Sequence, residues 1–219
     1  MRPSAFLSPL APTGQLPEPP LGGASGRPVA IYARGEEIYG EGAPANRLFR
    51  VMFGAVRLYR LLPDGRRQIG AFYLPGEVFG FEAKARHRFF AEAILPTGLA
   101  TIPPSADPEF TRALLTVALS TLARTQLHLE VLGRQMACER VAAFLVDIAE
   151  RSGGERVLTL PMQRADIGDY LGLTVETVSR IFSKMKEAGL IRLPNSRRVE
   201  ILDEAALRRL GGHPLSWDA

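Results

Sequence analysis

From Glu109 to Leu132 the chain carries neither proline nor glycine, although 21 Gly and 17 Pro are spread through its 219 residues. With nothing to break it, this stretch reads as one long helix from about Pro108 to Arg134. Leu115, Ala118, Leu119, Leu122 and Leu129 fall on one stripe of its wheel, while Leu114, Val117, Val131 and Leu132 spread over other sectors. Two apolar faces need two surfaces to bury against, here a neighbouring domain and a second copy of the chain. Gln126 interrupts the first stripe, as polar residues do where they fix register in paired helices. The expected subunit seam is Leu115, Leu119, Leu122, Gln126 and Leu129; burial inside one domain is the alternative.

The sequence changes texture on either side of that helix. Residues 1–28 are rich in Pro and Gly and poor in charge, the composition of a flexible tail. Residues 29–106 read as short strands with glycine corners. "RLFRVMFGAVRLYRLL" alternates around Val51, Phe53, Ala55 and Val56, and "PDG" makes a tight turn before "RRQIGAFYL". Evenly spaced short strands of this kind imply an antiparallel barrel or jelly roll.

After the helix segment at 107–135, residues 136–210 follow a different plan. "ACERVAAFLVDIAER" is an amphipathic helix stopped by "SGG", followed by a short strand "RVLTL". A helix from "QRADIGDYL", a turn at "GLT", a helix Val175 to Ala188 and a hairpin around Pro194-Asn195-Ser196 come next. Helix, tight turn, helix and hairpin outline a winged helix-turn-helix. Residues 211–219 are a second tail. The expected fold class is α+β, with an antiparallel jelly roll, a long dimerisation helix and a C-terminal winged helix-turn-helix.

The helix beginning after Thr174 divides its residues sharply. Thr174 suits an N-cap, and Val178, Ile181, Phe182 and Met185 form the core side. Glu176, Arg180 and Ser183 lie opposite, with Ser179 at the edge. A guanidinium at Arg180 can grip guanine O6 and N7, Glu176 can accept from cytosine N4, and Ser179 can contact several base edges. The same face also suits a solvated helix with an i,i+4 Glu–Arg pair, and charge decides between the two. Six basic residues against two acidic ones between Leu173 and Arg198 leave +4, equal to the formal net charge of the entire chain. Basic charge gathered on one helix and one hairpin turn is the footprint of phosphate neutralisation.

"IGDYLGLTVETVSR" resembles the helix-turn-helix of the Crp/Fnr superfamily of bacterial transcription regulators, in particular its Fnr and FixK branches. "RGEEIYGEGAPANRLFRVMFGAVRLYR" and "PGEVFGFE" resemble that superfamily's effector barrel, so the likeness runs from about Val29 to Ile201. The resemblance implies a homodimer that binds a "TTG…CAA" inverted repeat in double-stranded DNA and recruits RNA polymerase, in a low-oxygen or nitrogen-metabolism regulon. It implies base reading by Glu176, Ser179 and Arg180. Backbone contacts are expected at Arg164, Thr174, Thr177, Ser183, Lys184, Arg197 and Arg198.

The effector domain departs from the cyclic-nucleotide branch. Gly76-Glu77 matches that branch's clamp, but Arg88 is followed by Phe89 where the clamp has a hydroxyl residue. The amino-terminal cysteine cluster of the oxygen-sensing branch is missing. His87 beside Phe89 and Phe90 suits a haem ligand or a structural role, and His128 and His213 are given no role. A regulator without cofactor is therefore expected, with a cyclic-nucleotide- or haem-gated regulator as the alternative. A small-molecule-binding module without DNA activity is a further one.

The single cysteine, Cys138, fits a reducing compartment and is a candidate for redox control. No apolar run approaches the roughly 20 residues of a membrane helix, and the prolines near the start fit no secretory signal. A cytoplasmic protein without membrane partner is expected. No residue set suggests catalysis or a metal site.

Overall fold

The computed structural model describes residues 28–212 apart from 104 and 106. The expected tails at 1–27 and 213–219, with His213, lie outside the described residues. Eight strands come first: β1 (Val29–Tyr32), β2 (Glu37–Tyr39), β3 (Leu48–Phe53), β4 (Val56–Leu61), β5 (Arg67–Tyr73), β6 (Val78–Phe79), β7 (Phe90–Ala93) and β8 (Thr97–Ile102). They form two four-stranded sheets, ordered β1-β8-β3-β6 and β2-β7-β4-β5, with all pairs antiparallel. This is the jelly roll expected from the strand spacing.

The stretch "RLFRVMFGAVRLYRLL" divides at one of the expected glycine corners, so that β3 and β4 belong to different sheets. The chain changes sheet at Gly54, where φ is +88°. A Cβ there would collide with the Thr97 hydroxyl and lie 2.6 Å from the Pro96 carbonyl oxygen, so only glycine fits. Buried Thr97 completes the corner by accepting from Ala55 N–H and donating to Leu95 O at 2.7 Å. The corner also turns Phe53 outward, leaving it 45% exposed, while Val51, Ala55 and Val56 are fully buried.

α1 (Pro108–Gly133) starts at Asp107, whose carboxylate accepts from Glu109 N–H at 2.9 Å. Val117 packs against Val78, with Leu48, Phe81, Ile102 and Leu114 around them, which fixes the helix to the barrel. Residues Arg134 to Met136 are an extended link to α2 (Ala137–Arg151). Then follow β9 (Val157–Thr159), α3 (Arg164–Leu171), α4 (Val175–Glu187), β10 (Ile191–Arg192), β11 (Arg198–Ile201) and α5 (Glu204–Leu210). The last three strands form an antiparallel sheet ordered β10-β11-β9. α5 is additional to the sequence reading; it is capped by Asp203 and held to α2 by the Arg208–Glu150 ion pair.

The barrel and the C-terminal domain share one core. Ile69, Phe72 and Leu74 from the barrel side belong to the same buried cluster as Phe144, Ile148, Leu171 and Phe182. Burial of several large side chains contributes about 2 kcal/mol each, so this junction is a packed interface rather than a loose tether.

Candidate nucleic-acid interface

The turn between α3 and α4 is tight because Gly168 lets it close: a Cβ at that position would lie 2.6 Å from the Leu173 carbonyl oxygen. Asp166 accepts from Gln163 N–H at 3.1 Å and so steadies the start of α3. Thr174 caps α4 by accepting from Thr177 N–H at 3.2 Å. Val178, Ile181, Phe182 and Met185 then face the core, and Glu176, Ser179, Arg180, Ser183 and Lys184 are exposed on the outer side. Thr177 is half-buried, with its hydroxyl 3.1 Å from that of Thr174 and 3.5 Å from Arg180 Nη2. The Glu176 carboxyl is held below its ordinary range by its own backbone N–H at the helix start, by the Thr174 hydroxyl and by Arg180. It is thus a charged acceptor at neutral pH.

The β10–β11 hairpin stands beside this face. Asn195 Oδ1 accepts from the backbone N–H groups of Arg197 at 2.9 Å and Arg198 at 2.8 Å, which shapes the turn and leaves both side chains exposed. Arg197 also borders a polar cavity of about 310 Å³, shared with Arg34, Arg57, Arg67 and Gln163 at the barrel seam. Arg164 differs from the other basic candidates. Its guanidinium lies over the Phe182 ring, half-buried, and burial lowers its pKa to about 10.

On α1, Leu115, Leu119, Leu122 and Leu129 are each more than half exposed, as is Leu127, and Gln126 is exposed with them. So long an apolar stripe on one helix is left uncovered among the described residues. Cys138 is half-buried in the first turn of α2, packed against the shared core. Arg140, two residues on, donates to the link carbonyl of Arg134 at 2.7 and 2.9 Å and to Leu171 O at 3.1 Å.

The effector region holds features that sequence reasoning missed. Glu77 lies in the turn between β5 and β6 and takes Arg151 in a two-pronged grip of 2.8 and 2.9 Å. It also accepts from Arg124 of α1 and, at 2.8 Å, from Leu74 N–H. Burial pushes its carboxyl up, but the Arg151 and Arg124 guanidiniums and the Leu74 N–H outweigh burial and hold it below the ordinary range. A second grip joins Arg57 and Arg67 of the barrel to Asp166 at 2.6 Å each, and Arg67 to Asp169 at 2.7 Å. Pairing of opposite charges across a seam is the only signal that could have suggested these contacts. His87 is buried and stacked on Tyr39 at 3.6 Å, which gives the ring a packing role in the barrel. His128 is stacked on Tyr170 at 3.8 Å and borders a cavity of about 130 Å³ between β5, α1, α2 and α3. That volume compares with the roughly 150 Å³ of a cavity that takes benzene, below what a nucleotide needs.

A jelly roll of the cyclic-nucleotide-binding kind, joined through a long helix to a winged helix-turn-helix with an outward basic face, defines a DNA-binding transcription regulator. Residues 139–210 match a Crp-like helix-turn-helix domain and residues 30–106 match a cyclic nucleotide-binding domain. The chain belongs to the Crp/Fnr superfamily, in its FixK-like branch. It is 55% identical over 184 residues to the nitrogen fixation regulation protein FixK of Rhizobium meliloti, covering 84% of this chain and 87% of that one. Identity to FixK of Azorhizobium caulinodans is 46% over 193 residues, covering 83% and 78%. The structure of FixK2 from Bradyrhizobium japonicum superposes with a TM-score of 0.79 at 41% identity, over 86% of this chain and 98% of that chain. These relatives are regulators, not enzymes. No helix among the described residues is long and apolar enough to cross a membrane.

Proposed function

We propose that this chain binds a TTG…CAA-type palindrome as a homodimer, recruits RNA polymerase there, and does so without a bound effector. Glu176, Ser179 and Arg180 read base edges from the exposed face of α4. Arg164, Thr174, Thr177, Ser183, Lys184, Arg197 and Arg198 contact the backbone. The observation that carries this reading is the face itself: a donor fork, a charged acceptor and a hydroxyl on the outer side of a capped helix, beside a basic hairpin. The FixK relatives named as nitrogen fixation regulators support a low-oxygen or nitrogen-metabolism regulon.

Effector-free action is supported by Glu77. Its two oxygens already receive Arg124, Arg151 and the Leu74 N–H, so the matching carboxylate is taken by the chain's own groups. Selection from random duplex DNA by the purified full-length protein, with no small molecule added, tests the whole reading. Enrichment of an inverted repeat is expected, and adding cyclic AMP or cyclic GMP should change affinity by less than about 5-fold. Absence of any enriched sequence refutes the DNA-reading proposal. Enrichment that depends on added nucleotide refutes the effector-free part alone.

A further inference from the structure

Three separate parts of the molecule meet at one carboxylate. Glu77 belongs to the barrel, Arg124 to α1, and Arg151 to the last turn of α2, across the extended link at Arg134–Met136. The geometry goes beyond a surface ion pair. Arg151 gives two nitrogens to the two Glu77 oxygens, donates to Phe72 O at 2.7 Å, and gives its remaining nitrogen to Asp147 at 2.9 Å. The Arg151 and Glu77 side chains are only 12% and 16% exposed, so water screens them little. Without the carboxylate, two guanidiniums would face each other across the same space, and the low local dielectric makes that repulsion costly.

We infer that Glu77 is an internal effector: it locks the angle between α1 and α2 and thereby sets where the C-terminal domain stands relative to the long helix. Its job is the one an added ligand would otherwise do at a junction of this kind, namely to reward one arrangement of two jointed bodies over the others. The Arg57 and Arg67 grip on Asp166 and Asp169 steadies the far side of the same domain, so the Glu77 node governs the hinge rather than the whole contact. The part of this inference that concerns DNA affinity rests on the reading given under Proposed function.

The test uses the full-length protein and Glu77→Gln, which keeps the shape and the acceptor for Leu74 N–H but removes the charge. Amide hydrogen exchange in residues 133–140 should speed up at least about tenfold while exchange in the barrel strands stays as it was. Affinity for the selected palindrome should fall at least about 5-fold. Arg151→Lys, which keeps the charge but loses the two-pronged grip, should move the hinge in the same direction. The double variant should be no worse than Glu77→Gln alone, because both changes break one contact. Unchanged hinge exchange in either folded variant overturns the inference, as does strict additivity. If Glu77→Gln fails to fold, Arg151→Lys decides. Should the wild-type protein bind no DNA, the functional proposal fails while hinge exchange still decides the role of Glu77.

Discussion

The guanidinium of Arg164 lies 3.5 Å above the centroid of the Phe182 ring, tying the first turn of α3 to the underside of α4. Its Nη1 is buried and has no hydrogen-bond partner among the described residues, and burial alone pulls its pKa down to about 10. It remains charged at neutral pH, so the free protein carries a cation that is short of partners. A DNA phosphate would supply one. Arg164→Gln should therefore leave the melting temperature of the free protein unchanged or raise it slightly, while weakening DNA binding and lowering the salt slope by about one per half-site. Calorimetry and titrations at several salt concentrations check both halves. A large loss of stability with DNA affinity intact would make the contact purely structural.

Arg180 and Arg197 are both exposed and basic, yet their supports differ. Arg180 stands on the outer face of α4 beside Thr177, and Arg197 sits in the hairpin turn near the barrel seam. Arg180→Ala should cost about 1–3 kcal/mol and flatten preference at one symmetric pair of positions. Arg197→Ala should weaken all sequences alike and reduce the salt slope by about one per half-site. Selection on randomised half-sites at two salt concentrations separates the two. Wild-type sequence preference in Arg180→Ala would show the wrong base reader.

Leu122 is 54% exposed in the middle of the leucine stripe on α1. If a second copy covers that stripe, Leu122→Asp places an unpaired charge in the seam and should give a monomer by sedimentation. Affinity for a full palindrome should drop with it, because one half-site alone loses the second set of contacts. An unchanged dimer would move the seam elsewhere.

His128 connects the junction to pH. Its ring is stacked on Tyr170, and burial lowers its pKa from 6.5 to about 4 against an opposing pull from Asp147; Arg124 and Arg151 also line the cavity beside it. As pH falls below 6.5 the unfolded chain takes up the proton first. Stability from this group is therefore complete above 6.5, declines between 6.5 and about 4, and levels off below, by at most roughly 3 kcal/mol. His128→Phe keeps the stacked ring and should flatten that part of the stability–pH curve. A slope that persists in the variant assigns the effect to another group.

The parts legible in the sequence are those encoded by neighbours. The outer and core faces of α4 follow from periodicity, and Thr174 announces the cap three residues before the N–H that it receives. α5 could have been read the same way from Asp203 and Ala206. Long-range placements were not legible. Glu77 and Arg151 are 74 positions apart, and nothing in the surroundings of either names the other. A corner at Gly54 was legible from the glycine itself, but its partner was not, because Thr97 lies more than forty residues away. His128 was given no role because its neighbour Tyr170 comes from a different helix.

The core shared between the barrel and the C-terminal domain also constrains how the chain is made. Ile69, Phe72 and Leu74 leave the ribosome well before Phe144, Ile148 and Leu171, which complete their burial. A nascent chain stopped just after Gly133 should therefore expose an apolar wall and bind a hydrophobic dye, and one extended beyond Ile201 should not. Synthesis of this protein thus passes through an interval in which its first domain stands with one side open, and it closes only as the DNA-binding half arrives.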